Sequence, residues 1–293
     1  MVLSAARASG PAPTGRFAAF SFVDQITQIQ GVTRVCGRYT IPANIEHFPA
    51  SLVAEALGQL AAWVAMSTLG FSHRPVAALA GDTKIFSLAK PGDTLELIVD
   101  IESCDAESIL YRGHALVNGR TVLELADTVG SMLDIHEFDD PAALAADFAQ
   151  LSTEGRAIGA FKGVPRAALT DLPASTPEHL QAQLAVPASA AFFEDHFPRR
   201  PVFPATLLLD ALLQLANPVA AHAAGDTLLR LTRITNVKVR AFTAPGATLV
   251  LSAQLATPGS DDLEPYMVKL TAQAEGKTIA GAKMYFAPAG ELA

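Results

Sequence analysis

Two stretches of this 293-residue sequence nearly repeat each other: FPASLVAEALGQLAAWVA at 48–65 and FPATLLLDALLQLANPVA at 203–220. They lie 155 residues apart and agree at 11 of 18 positions, with Ser/Thr and Glu/Asp among the conservative differences. A repeat at about half the chain length marks a duplicated structural unit. Each copy is apolar nearly all round, so each predicts a helix enclosed on most sides. The longest apolar run, about Leu52 to Phe71, is long enough to span a membrane. It contains Glu55 and Gln59, however, and the second copy contains Asp210 and Gln214. A charge on a lone membrane helix costs several kcal/mol, so a core helix of a soluble fold is the better reading.

The similarity continues beyond the helix. KPGDTLELIVDI (90–101) matches APGATLVLSAQL (244–255), and GRTVLELADTV (119–129) matches GKTIAGAKMYF (276–286). Alternation and β-branched content make these segments strands, with Pro-Gly turns before one pair and Asn-Gly and Glu-Gly hairpin turns before the other. Strand-like stretches also precede each helix, VTRVCGRYTIP and HLQAQLAVPAS. A helix followed by a run of antiparallel strands is an α+β pattern, met by a sheet curled around a central helix. Two such units side by side can extend their sheets into one. The division expected is a flexible leader at 1–16, a first unit at 17–140, a linker with a short surface helix at 141–165, and a second unit at 166–293.

Half of the residues are apolar and 17% are charged, which suits a sizeable core. The net charge of −8 argues against nonspecific nucleic-acid binding, which needs a basic surface to neutralise phosphates. Cys36 and Cys104 have no metal-ligand spacing, and a reducing, cytoplasmic setting fits them. No signal peptide is expected from the first residues.

The chemistry concentrates at 192–214, FFEDHFPRRPVFPATLLLDALLQ. Prolines 198, 201 and 204 stiffen the loop that carries His196, so it can hold an imidazole in one orientation. The following helix starts near Ala205, and its first N–H groups form a site for a carbonyl or oxyanion. Asp210 and Gln214 share a helix face, as do Glu55 and Gln59. A carboxylate inside an apolar helix needs a partner or a task, and burial favours its protonated form. A histidine with such a group can remove a proton from one atom while a hydroxyl leaves the next.

This stretch resembles the signature of the bacterial β-hydroxyacyl-[acyl carrier protein] dehydratases, HFPxxPVxPGxLxxE/D followed by a glutamine. His196 falls on that family's catalytic histidine, Asp210 on its Glu/Asp position and Gln214 on its glutamine. The resemblance implies a double hot-dog fold over most of residues 17–288. It further implies loss of water from (3R)-hydroxyacyl thioesters to give trans-2-enoyl thioesters, with no metal and no redox cofactor. The substrate would ride on the phosphopantetheine of an acyl carrier protein or on CoA, in fatty acid or polyketide synthesis. The first copy departs from the pattern, because Ile41 stands where the histidine would be; His47 aligns with Val202 instead. Since sites in the resembling dimers take histidine and carboxylate from opposite units, the expectation is one site, His196 with Glu55. Asp210, facing Ile41, is the alternative carboxylate. The family's glycines are replaced by Ala205, Ala50 and Arg199.

In the same reading Gln59 and Gln214 support the site, the Ala205 N–H polarises the carbonyl, and Arg199 and Arg200 meet the phosphopantetheine phosphate or an acidic carrier. Asp24 reads as a structural cap and Trp63 as core. His73, His114, His136, His179 and His222 have no companions at useful spacing. Two competing functions stand beside dehydration: an acyl-thioester hydrolase on the same fold, and a catalytically weak protein that binds an acyl carrier. The fused halves already imitate a dimer, and a homodimer of the whole chain is equally compatible with the sequence.

Overall fold

The computed structural model describes residues 18–173, 175–259 and 263–290. The leader expected at 1–16 lies outside these residues. Twelve strands form one continuous antiparallel sheet in the order β1-β2-β4-β5-β6-β3-β9-β12-β11-β10-β8-β7. The left six are β1 (Gln25–Gln30), β2 (Arg34–Thr40), β3 (His73–Ile85), β4 (Thr94–Cys104), β5 (Ser108–Val117) and β6 (Arg120–Asp134). The right six are β7 (Leu169–Asp171), β8 (His179–Ala185), β9 (Leu229–Val239), β10 (Thr248–Ala256), β11 (Tyr266–Ala274) and β12 (Lys277–Pro288). Read outward from the centre, both sets follow the same sequence of strands, so the order is a palindrome of two equivalent units. Helix α1 (Ala50–Thr68) packs on β2 to β6, and α3 (Ala205–Ala224) packs on β8 to β12. This is the double hot-dog.

The hairpin turns follow the sequence signals. Asn118 and Gly119 take φ of 51° and 73°, and Glu275 and Gly276 take 49° and 76°. Two consecutive left-handed residues match the right-handed twist of the flanking strands. They set the register in which Val117 faces Arg120 and Ala274 faces Lys277.

The two units join where β3 pairs antiparallel with β9, Thr83 opposite Ile234. Arg233 clamps this join by donating from Nε and Nη2 to the two carboxylate oxygens of Asp82, at 2.7 and 3.1 Å. A bidentate pair of this kind fixes geometry as well as charge. Both α1 and α3 are long and apolar enough to cross a membrane. Here they form the cores of the two units: Leu57, Leu60, Ala65, Ala211, Leu212 and Val219 are all fully buried. Helix α2 (Pro141–Thr153), within the stretch expected as linker, is capped by the Asp140 side chain accepting from Ala143 N. It packs on β1 and α1, burying Leu144 and Leu151 and stacking Phe148 on Trp63.

Candidate active site

Neither core helix has a side-chain N-cap. Pro49 and Pro204 hold extended backbone at the two cap positions, and the first backbone donor bonded within α3 is Leu207 N, to Pro204 O. The N–H groups of Ala205 and Thr206 therefore come before the intrahelical ladder, at the positive end of the helix dipole. Both residues line a cavity of about 200 Å³ that lies between the two units.

His196 lines this cavity from the proline-rich loop. Its backbone carbonyl accepts from Val202 N at 2.9 Å, and its Nδ1 lies 2.9 Å from the Val202 carbonyl. A carbonyl only accepts, so Nδ1 carries the proton and Nε2 is left as the free base. Phe197 stacks on the imidazole at 4.1 Å between ring centres, and the edge of Phe20 approaches it at 5.6 Å. Burial pushes the imidazole pKa below its ordinary 6.5, against an opposing pull from Glu55 and the Val202 carbonyl. A neutral, oriented imidazole is poised to accept a proton.

Glu55 reaches the same cavity from α1, on the opposite unit. Gln59 Nε2 donates to its Oε1 at 3.0 Å, and Thr206 Oγ1 donates to its Oε2 at 2.9 Å. Gln59 is itself locked, accepting from Phe22 N and donating to Phe20 O. The segment it grips is tied to the histidine loop, because Asp195 Oδ2 accepts from both Ala19 N and Phe20 N. One connected network thus runs from Thr206 through Glu55 and Gln59 to the residue before His196. The expected cross-unit pair is brought together.

The pseudo-equivalent position is built differently. Asp210 does not line the cavity. Burial raises its carboxyl pKa, opposed by His47, Arg166 and Gln214. Ile41 is core, its backbone pairing with Gly92 and Asp93, whereas the ionisable groups bearing on Asp210 are His47 and Arg166. Gln214 is near enough to Asp210 to affect its titration, yet its buried Nε2 makes no hydrogen bond of acceptable geometry. Ser51, the counterpart of Thr206, has a buried Oγ without a partner. The network that orients Glu55 has no equal here.

Arg199 and Arg200 are half-exposed and engaged with the first unit. Arg199 donates to His136 O and Asp140, Arg200 pairs with Glu137, and Arg200 also lies over Phe242 at 4.8 Å. In this structure they hold the histidine loop to the segment after β6. Asp24 acts as expected, its buried Oδ2 accepting from Thr40 N at 2.7 Å. Trp63 is buried but also lines the far part of the cavity. Sequence reasoning missed Thr206, Asp195 and Phe20. Thr206 was visible as the residue four before Asp210, but its partner is on the other unit; nothing local marks the other two.

Residues 173–278 match the ApeI-like dehydratase family. A 3-hydroxyacyl-[acyl-carrier-protein] dehydratase FabZ from Bacillus velezensis is 33% identical over 117 residues, which cover 36% of this chain and 82% of that protein. The chain belongs to the FabZ dehydratase family. The FabZ of Rickettsia africae is 39% identical over 64 residues, covering 21% of this chain and 44% of its own, so this match spans less than half of that relative. Among solved structures, the tesB protein of Mycobacterium avium subspecies paratuberculosis superposes with a TM-score of 0.55 at 14% identity, covering 89% of this chain and 96% of its own. The 12:0-ACP thioesterase of Umbellularia californica gives 0.52 at 10% identity, covering 87% and 94%. These likenesses concern the fold alone. The family-model match lies on the second unit, whereas the structural likenesses extend across both.

Proposed function

We propose that the protein dehydrates (3R)-hydroxyacyl thioesters to trans-2-enoyl thioesters at one site per chain, formed by His196 and Glu55. The observation that carries this reading is their meeting in one cavity from opposite units, the imidazole base free and the carboxyl held by two donors. The thioester carbonyl lies at the N–H groups of Ala205 and Thr206, where charge on the developing enolate oxygen is stabilised. His196 Nε2 takes the C2 proton. The C2 electron pair forms the C2=C3 bond as the C3–O bond breaks, and the Glu55 carboxyl supplies the proton that releases water. Proton return from His196 to Glu55 closes the cycle. Written this way, the steps use no metal or redox group.

The acyl chain occupies the apolar cavity along α1. The phosphopantetheine of a carrier protein or CoA enters past Phe242, beside Arg199 and Arg200. Fatty acid or polyketide assembly in the cytoplasm is the setting we infer. The test is incubation with 3-hydroxyacyl thioesters on CoA and on carrier protein, following enoyl product and free thiol together. We expect enoyl product that falls at least about 100-fold in His196→Ala and Glu55→Gln, the range of a lost general acid or base, and that persists in Asp210→Asn. Free thiol without enoyl product would make the protein a thioesterase, and loss only in Asp210→Asn would reverse the pairing of the units.

A further inference from the structure

The cavity does not end at Glu55. It continues along α1 past Gly58 to Trp63 and Met66, bounded by β5, β6, β3 and β9. Its walls are largely apolar, with Ile109, Leu125, Ile234 and Val237 among them, but buried hydroxyl side chains also line it: Tyr111 and Thr83, and Thr128, whose Oγ1 donates to Ala126 O at 3.4 Å. No hydrogen bond to the Tyr111 or Thr83 hydroxyl is formed among the described residues, and both oxygens touch the open space of the cavity. A hydroxyl facing an apolar channel is satisfied by water or by a polar group on whatever fills the channel.

Tyr111 is there because α1 makes room for it. A Cβ on Gly58 would stand 3.2 Å from the Tyr111 hydroxyl oxygen. Glycine inside a helix costs about 0.5–1 kcal/mol relative to alanine. The repeat has Leu213 at the same helix position. The offset that matches Gly119 to Gly276 carries Tyr111 onto Val268, which is fully buried. The second unit thus fills with two aliphatic residues the space that the first gives to a glycine and a phenol. The exchange occurs only in the unit that supplies Glu55. Gly58 lies three residues beyond Glu55 on the same helix face, about 4.5 Å further along the axis.

Resting on the dehydratase reading, we propose that Tyr111, with Thr83 beyond it, makes this channel selective for acyl chains that carry a hydrogen-bond acceptor a few carbons past C3. A saturated chain displaces the water from these hydroxyls and offers nothing in return. An ether or carbonyl oxygen at that depth restores the bond. The polar chemistry points to oxygenated chains over plain fatty ones as the favoured substrates.

The test measures binding apart from turnover. In the His196→Ala variant, calorimetry compares 3-hydroxyacyl-CoA ligands of equal length, all-carbon or with one CH₂ replaced by an ether oxygen at C5, C6 or C7. At least one ether ligand is expected to bind about tenfold tighter than the all-carbon chain, and adding Tyr111→Phe is expected to remove most of that difference. Equal affinities at all three positions, or a preference that survives both Tyr111→Phe and Thr83→Val, overturn the proposal. Enoyl formation by the unaltered protein is followed in parallel. A preference in binding without enoyl product would end the dehydratase reading and leave the selectivity standing.

Discussion

Thr206 Oγ1 donates to Glu55 Oε2 at 2.9 Å, joining side chains 151 residues apart. The donor sits in the first turn of α3, beside the N–H groups proposed to receive the thioester carbonyl, so in that reading one turn of helix orients both the carbonyl and the carboxyl. Thr206→Val keeps the shape and removes the donor. A hydrogen bond to the carboxylate that forms as Glu55 gives up its proton contributes about 1.5–3 kcal/mol. The variant is expected to lose about tenfold or more in kcat for dehydration, with little change in KM, and Thr206→Ser to recover most of it. Steady-state kinetics with one 3-hydroxyacyl thioester decides; equal kcat in Val and Ser variants would remove Thr206 from the site.

The base role proposed for His196 requires the neutral imidazole. Burial lowers its pKa, so the neutral form persists below pH 6.5 and is lost as pH falls through the lowered value. The acid limb of kcat/KM should therefore have its midpoint below 6.5. A pH profile over acidic and neutral buffers measures it, and a midpoint above 6.5 would contradict the environment described for the imidazole.

Asp195 is 5% exposed and accepts two backbone N–H groups from the segment that holds Gln59. In Asp195→Ala both donors are left buried, at about 1–3 kcal/mol each. Denaturant unfolding should show a stability loss on the order of 2–4 kcal/mol, and the folded fraction should turn over more slowly because Phe20 and Gln59 lose their anchor. Undiminished kcat per folded molecule would separate this network from catalysis.

Asp24 is buried, and desolvation pushes its pKa up to about 6 from 3.8. Between these values the unfolded chain gives up a proton that the folded chain keeps, so this carboxyl makes stability fall as pH rises from about 4 to 6. The shift corresponds to roughly 3 kcal/mol. Asp24→Asn keeps a carbonyl oxygen for Thr40 N and removes the titration. Unfolding free energies at pH 4 and pH 7 should differ less in this variant than in the parent by an amount of that order; an unchanged difference would place the titration elsewhere.

Much of the site was legible because its parts are local. The His-Phe-Pro loop, the i, i+4 pair of Glu55 and Gln59, and the uncapped start of α3 are all properties of short segments, and the structure places them as their chemistry suggests. The neighbours of Asp210 were not legible. Alignment of the repeat pointed to Ile41, and such a match does not reveal the charged groups, His47 and Arg166, that bear on the Asp210 carboxyl. Arg199 and Arg200 read as contacts for a phosphopantetheine phosphate or an acidic carrier, and their pairing with Asp140 and Glu137 of the other unit was not legible.

By itself the sequence determined the duplication, the two apolar core helices, the hairpin turns and the types of group available for chemistry, since periodicity, turn conformation and helix spacing depend on residues within a few positions of one another. Only the tertiary structure decided which groups act together. The pairing of β3 with β9 brings the N-terminus of α3 beside Glu55, closes Gln59 and Asp195 into one network, and leaves Asp210 outside the cavity. Contacts across some 150 residues are set by how two sheets join, and no local pattern encodes that.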